Sequence, residues 1–488
     1  MALSTLLNSD SQHAFFKDLF QLVADPRKGI CDFKAVDYCM SVFGMFKFKD
    51  PSLLAFEDRK ADPIATANFK NIFGIEKLAS DSMLRKYFDP IDPMSFKPIF
   101  VNVLKKIREE KLISQYLYLG NSILIATDGT TFYSSKKNFS PTCQTRKRKK
   151  KLNPDNENEV SERRQDKAKI AAKIGKKAKG HPAASKLLDQ INELDDEHEI
   201  EYSLQMLTPA IVNPRMKTVI PLMPEPITGS DGTSKQDCET NACKRFLAGL
   251  RDYQSAEYEM TLLLDSLFSK SPIIHEIIGH GYNYIANAKP GDHATLFNSI
   301  KVLEQKGRLQ THVIKEDKVT KIYEWASSIP LFATADAPFV NFLRCTIKKL
   351  DGTQTVFTWV TNHELSKDSV EAIEKAGRAR WKIENETFNT LKNHGYQFEH
   401  NFGLGQQFLA INFAIIMLIA FLSDQLLELT CQKFIQLLEL IKTRRTLWEH
   451  LRMALNMAVT KSYEAILDFL FQRLKGTLPE NMLPILTT

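Results

Sequence analysis

Nothing in this 488-residue chain has the spacing of a disulfide framework. Seven cysteines, an odd number, stand far apart at 31, 39, 143, 238, 243, 345 and 431. With no signal peptide in view, that usage points to a reducing cytoplasm. Long apolar runs are scarce as well. The one membrane candidate, FLAINFAIIMLIAFL at 408–422, is about five residues short of a span and contains Asn412, so a buried core helix is expected. There is no GxxxxGK phosphate loop, and nucleotide hydrolysis is not expected. Metal spacing built on His and Cys is missing too. His275 and His280 in HEIIGH are five apart, about 140° around a helix, and cannot share a metal as a four-residue spacing allows. Cys238 and Cys243 have the same fault and Cys143 has no nearby cysteine, so no zinc site is expected.

What is present is the composition of a globular protein, 43% apolar and 25% charged, long enough for roughly three domains of about 150 residues. The net charge of +7 is unevenly placed. Between Arg146 and Lys179 stand fourteen Lys/Arg against five Asp/Glu, an excess larger than that of the whole chain. Its densest part, Arg146, Lys147, Arg148, Lys149, Lys150 and Lys151, repels itself and is expected to form a flexible insertion over about 142–185. Phosphate is its natural partner. A solvated loop and a nuclear-localisation signal are the other readings of the same run.

Residues 1–115 carry helical periodicity, as in HAFFKDLFQLVA and FVNVLKKIREEKLI, and read as a helical bundle. The texture changes at NSILIATDGTTFYSS (121–135), where ILIAT reads as a strand buried on both faces, ending at Asp128, with a second strand beyond Gly129. EMTLLLDSLFS (259–269) repeats the design and ends at Asp265. Residues 290–370 are rich in strands, with an Asp-Gly turn at 351–352. A helix covers about 370–395, and further apolar helices run through 426–488. The fold class expected is therefore α/β.

Three carboxylates stand out. The carboxyl ends of parallel strands are where ligands collect in α/β sheets, which singles out Asp128 and Asp265. Alone, each has a plain alternative: Asp128 as a turn residue before glycine, Asp265 as a helix cap. On a regular helix with about 100° per residue, Glu384 falls between Phe388 and Leu391, on the apolar face that also carries Trp381, whereas Glu386 falls on the far side. An inward carboxylate is costly unless paired or bound to metal. An ion pair between Glu384 and Arg380, one turn earlier, is the alternative. Several carboxylate oxygens on rigid elements suit paired divalent cations, Mg²⁺ or Mn²⁺ rather than zinc.

RWKIENETFNTLKNHGY, with EHNFG behind it, resembles the DDE-type transposases of bacterial insertion sequences, which carry an Arg-Trp-x-Ile-Glu helix followed by a lysine. KQDCETNACKRF (235–246) and KPGDH (289–293) also look like one branch of that family, and the resemblance runs from about 80 to 425. It implies an RNase H-like mixed sheet with flanking helices over 116–289 and 371–425, interrupted by a β-rich insertion at 290–370. Helical regions would flank it at 1–115, for DNA binding, and 426–488. Asp128, Asp265 and Glu384 would be the catalytic, metal-binding acids, with Arg380 and Lys392 on phosphate. Trp325 or Trp359 would be placed to stack on an unpaired base, or would simply be core aromatics. The chain departs from the family in having Gly377 where a tyrosine is usual and Lys392 one residue further from Glu384, which keeps Glu386 as an alternative third acid. The activity implied is Mg²⁺-dependent cleavage at transposon ends and strand transfer into target DNA. It would proceed in a homodimer on DNA, nucleoid-associated in the cytoplasm and without a membrane partner. A two-metal nuclease without strand transfer and a non-catalytic DNA-binding remnant are the rival readings.

Overall fold

The structure is a computed structural model that describes residues 6, 8–28, 31–149, 157–178, 182–194, 198–230 and 236–477. Twelve strands form one sheet. They are β1 (Leu117–Tyr118), β2 (Ser122–Ser135), β3 (Gln144–Lys149), β4 (His198–Val212), β5 (Ile220–Pro221), β6 (Glu225–Ile227), β7 (Glu259–Leu264), β8 (Asn283–Asn287), β9 (Gln310–Lys315), β10 (Val319–Pro330), β11 (Phe339–Lys349) and β12 (Gln354–Thr361).

The apolar run at the start of β2 is buried through Thr127, so its backbone needs partners on both edges. β4 lies antiparallel on one side, from Leu124 opposite Val212 to Ser135 opposite Tyr202. On the other side β7 lies parallel, from Ser122 beside Glu259 to Ala126 beside Leu263, and β8 continues parallel to β7. This change from antiparallel to parallel at β2 is the mixed α/β sheet expected of an RNase H-like core. The strand-rich block at 290–370, expected as an insertion, does not stand apart from it. β12 pairs antiparallel with β8, and β11, β10 and β9 follow outward, so the insertion extends the same sheet. Gly352 takes the left-handed conformation (φ 81°) that the Asp351-Gly352 turn between β11 and β12 requires.

Two expectations fail locally. Residues 122–135 are one strand rather than two, because β4 accompanies them along their length and Gly129 stays extended within the ladder, the only irregularity being a bulge between Thr131 and Tyr133. The basic run is not wholly a flexible loop either: its first part forms the edge strand β3. Glu201 and Glu199 of β4 lie level with Arg146 and Arg148, and Arg148 pairs with Glu201 at 2.5 Å, so the partner strand offsets the self-repulsion. Helices Glu157–Ala178 and Pro182–Asn192 follow. Lys150 and Lys151 lie outside the described residues.

Helix Leu409–Thr430 is long and apolar enough to cross a membrane, yet 94% of its apolar window is buried inside the molecule. It packs against Ala35–Lys47, while Ser9–Phe20 meets Tyr463–Lys475 and Pro63–Phe73 meets Arg444–Met457. Helices from the two ends of the chain therefore share one core. Asp424 ties them together through buried ion pairs with Lys47 and, at 2.7 Å, Lys49. Tyr396 donates its hydroxyl hydrogen to the same carboxylate. The Lys49 ammonium also lies 3.9 Å from the Tyr396 ring centroid and 4.2 Å from that of Trp448, a favourable cation–π arrangement.

Candidate carboxylate site

Asp128 sits in β2 two residues past Ala126, the last residue paired with β7. Asp265 is two residues past Leu263, the partner of Ala126. Continuing that register sets the two aspartates side by side where the parallel strands part. Asp128 Oδ1 accepts from the Gly129 amide at 2.9 Å, and Asp265 Oδ1 accepts from the Leu267 amide at 2.9 Å. Asp265 thus orders the loop after β7; the next helix begins later, at Ser271.

The third acid arrives on an irregular helix. Val370–Arg378 is α-helical, Ala379–Trp381 tightens to a 3₁₀ turn, Ile383–Phe388 widens to a π turn, and Asn389–Asn393 is α-helical again. A constant 100° step cannot describe such a segment. Trp381, expected on the buried face, is 49% exposed, while Arg380 is buried beside Ile383 and Thr387. The Arg380 guanidinium donates to Asp128 Oδ2 at 3.1 Å through Nη1 and to Glu384 Oε1 at 3.0 Å through Nη2. The i,i+4 ion pair set out as the alternative for Glu384 is therefore present, and the same arginine joins it to Asp128. Arg380 Nε is buried with no acceptor among the described residues.

The electrostatics of this group are out of balance. Burial is the main cause that raises the Asp128 carboxyl to about 6; Arg380 opposes the rise, and the charges of Asp265 and Glu384 add to it. A fourth acid, overlooked in the sequence, stands behind the strand. Glu239 begins helix Glu239–Gly249, and its carboxyl carbon lies 2.4 Å from where a Cβ on Gly129 would be. A side chain at 129 would have to push the Glu239 carboxylate aside. Because strand side chains alternate, Glu239 approaches the face opposite the Asp128 side chain. Burial first, then the Asp265 charge, raises the Glu239 carboxyl above its ordinary range. The Asp-Gly pair and an acid in a helix's first turn were the only local signals.

All these donors are carboxylate oxygens, which by chemistry suit a hard divalent cation such as Mg²⁺ or Mn²⁺. Among the described residues no three acidic, His or Cys groups stand close enough to hold one ion together. Arg380 supplies the positive charge between Asp128 and Glu384 instead.

The remaining candidates separate from this group. Lys392 is turned to Glu399 at 2.7 Å. Glu386 pairs with Arg444 at 3.5 Å. Trp325 and Trp359, considered for base stacking, are each 2% exposed and have no ring face to offer. Trp359 instead accounts for Gly377: a Cβ there would stand 2.5 Å from the indole Nε1. The indole fills the space that a tyrosine at 377 would need. Arg146, Lys147, Arg148 and Lys149 are exposed along the edge strand.

No family model matches the chain, and no curated protein matches it in sequence. Among solved structures it is similar to the piggyBac transposase in a synaptic complex with hairpin DNA, at 10% identity and a TM-score of 0.38, over 97% of this chain and 86% of that one.

Proposed function

We propose that this chain is a DNA transposase that cuts beside the ends of its element in a divalent-cation-dependent reaction and joins the freed 3′-hydroxyl to target DNA. One observation carries the reading. Two aspartates lie at the parting ends of parallel strands, and a glutamate from a distant helix shares a single arginine with the first of them, leaving three acids near one cation.

In this reading Asp128, Asp265 and Glu384 would hold Mg²⁺ or Mn²⁺ once drawn closer than they stand here, with the cation taking the place of Arg380 between Asp128 and Glu384. When bound, such ions lower the pKa of an attacking water or sugar hydroxyl and neutralise the leaving oxygen. Arg380 has a fork of donors suited to a phosphate oxygen pair and is placed to exchange its carboxylates for the DNA backbone. Ionised Asp128 is the form that binds a cation, and burial, which raises its carboxyl to about 6 in the metal-free site, makes protons compete with the cation as pH falls. The edge strand with Arg146, Lys147, Arg148 and Lys149 adds backbone affinity that falls with salt and carries little sequence information. The N-terminal helices recognise the terminal repeats, and two protomers bring two ends together.

The test is strand cleavage and joining on a DNA fragment bearing the element's ends, with Mg²⁺ or Mn²⁺. Asp128→Asn, Asp265→Asn and Glu384→Gln should each lower both products on the order of a thousandfold. If all three cut as well as the parent, the reading is wrong. Cleavage without joined products would point to a nuclease, and DNA binding without cleavage to a remnant.

A further inference from the structure

Beside the carboxylate group, on the other side of the same helix, lies an open cleft of about 810 Å³. Trp381, Phe357, Arg215, Lys375, Arg378 and Lys382 are in its wall. The chain has four tryptophans. Trp325, Trp359 and Trp448 are buried; Trp381 alone leaves half its surface open. The 3₁₀ turn that carries Arg380 inward carries the next residue, Trp381, outward. A large aromatic left uncovered in a cationic wall differs from a scattered surface apolar residue, which needs no explanation.

The cations of this cleft are positioned by neighbours without being covered. Lys375 pairs with Glu371 at 2.8 Å and Arg378 with Glu374 at 3.2 Å, yet both remain about half exposed. Lys382 donates to the Met216 carbonyl at 2.5 Å, and the Arg215 guanidinium lies 5.6 Å from the Tyr118 ring centroid. Glu386, the one carboxylate in the wall, is engaged by Arg444. The cleft is also coupled to the carboxylate site, since the Arg380 guanidinium lies 5.2 Å from the Trp381 ring centroid while it bonds Asp128 and Glu384.

We propose that this cleft binds a single-stranded stretch of DNA, with Trp381 stacking on an unpaired base and Arg215, Lys375 and Arg378 holding the flanking phosphates. Alternating cationic and aromatic side chains in an open groove suit a strand whose bases are free to stack. A duplex offers phosphates but no free base face. The choice of DNA as ligand rests on the reading of the chain as a DNA-cutting enzyme; the cleft's geometry does not. A strand held on Trp381 would lie across the helix from Asp128 and Glu384, with the Arg380 guanidinium 5.2 Å from the Trp381 ring centroid between the two faces.

The experiment uses the full chain with a chelator present, so that cleavage plays no part. A short oligothymidylate is titrated while intrinsic tryptophan fluorescence is followed, with binding read in parallel by anisotropy of a labelled strand. The oligonucleotide should quench the parent. Trp381→Ala should lose that quenching and bind the single strand about tenfold more weakly, with blunt duplex binding and the thermal melt unchanged. Arg215→Glu should weaken single-strand binding several-fold while keeping the quench at saturation. Equal affinity of Trp381→Ala and parent for oligothymidylate, no quenching of the parent, or equal quenching by duplex would overturn the proposal. Absence of cleavage with metal, by contrast, would count only against the catalytic reading.

Discussion

Two clusters of charge in the molecule are built to opposite balances, one buried and one partly exposed. Around Asp424, one carboxylate faces two lysines and a tyrosine hydroxyl. Burial opposes its charge, but Lys47 and Lys49 outweigh burial and hold its pKa below the ordinary range. Burial also brings Lys49 down to about 8, against the pull of Asp424. Around Arg380 the proportions are reversed, with Asp128, Asp265 and Glu384 against one guanidinium and the Asp128 carboxyl raised to about 6. The first cluster is satisfied within the fold and fastens helices from both ends of the chain. The second is left with excess negative charge on partly exposed side chains. A buried cluster whose charges are engaged within the fold reads as structure; one with excess negative charge on partly exposed side chains is a candidate for binding a cation or doing chemistry.

Substitutions should separate the two kinds. The largest expected effect is on cleavage, where Glu384→Gln or Asp265→Asn should lower the rate on the order of a thousandfold, as when one charge-stabilising group is removed from a preorganised site. Gel assays of end cleavage check this, and both variants should melt near the parent. Asp424→Asn should do the reverse kind of damage. It leaves two buried lysines without a counter-charge, and urea denaturation should show a loss of about 3–5 kcal/mol.

Smaller effects sharpen the contrast. Gly377→Tyr, which restores the residue usual in the resembling family, forces a side chain into the Trp359 indole. It should cost about 1–3 kcal/mol in the same denaturation assay, and a smaller residue at 359 should recover part of the loss. The pH dependences should also have opposite signs. Asp128 has a folded pKa above its unfolded value, so the folded state keeps that proton longer. Its ionised form lowers metal-free stability at pH 8, and the penalty fades as pH falls through about 6. The stability difference between Asp128→Asn and the parent should therefore narrow from pH 8 to pH 5 in thermal melts without metal. Asp424, with its lowered pKa, contributes stability that is present above the ordinary carboxylate value and lost only as pH falls below it.

Much of the core was legible because its signals are local. ILIAT and EMTLLL are apolar runs of strand length, and each delivers its aspartate where the parallel pairing stops. The long apolar helix shows its burial in the lack of any polar face. The helix of Glu384 was only half legible: the wheel that brought Glu384 to attention also placed Trp381 inside. The 3₁₀ and π turns break the constant angle, and they leave Arg380 and Ile383 buried with Trp381 outside. β3 was hidden because its pattern is entirely polar and its pairing is supplied by Glu199 and Glu201, more than fifty residues on. Glu239 behind Gly129, Trp359 against Gly377 and Lys47 on Asp424 are contacts between remote segments, and no single window of sequence contains both partners.

The central claim is that Asp128, Asp265 and Glu384 act as one cation-binding group once a cation competes with Arg380. Calorimetric titration of Mn²⁺ into the full chain near pH 8 tests it directly. The account predicts saturable binding by the parent that is lost in Asp128→Asn and Asp265→Asn and weakened in Glu384→Gln. Identical Mn²⁺ binding by the parent and all three variants would contradict it.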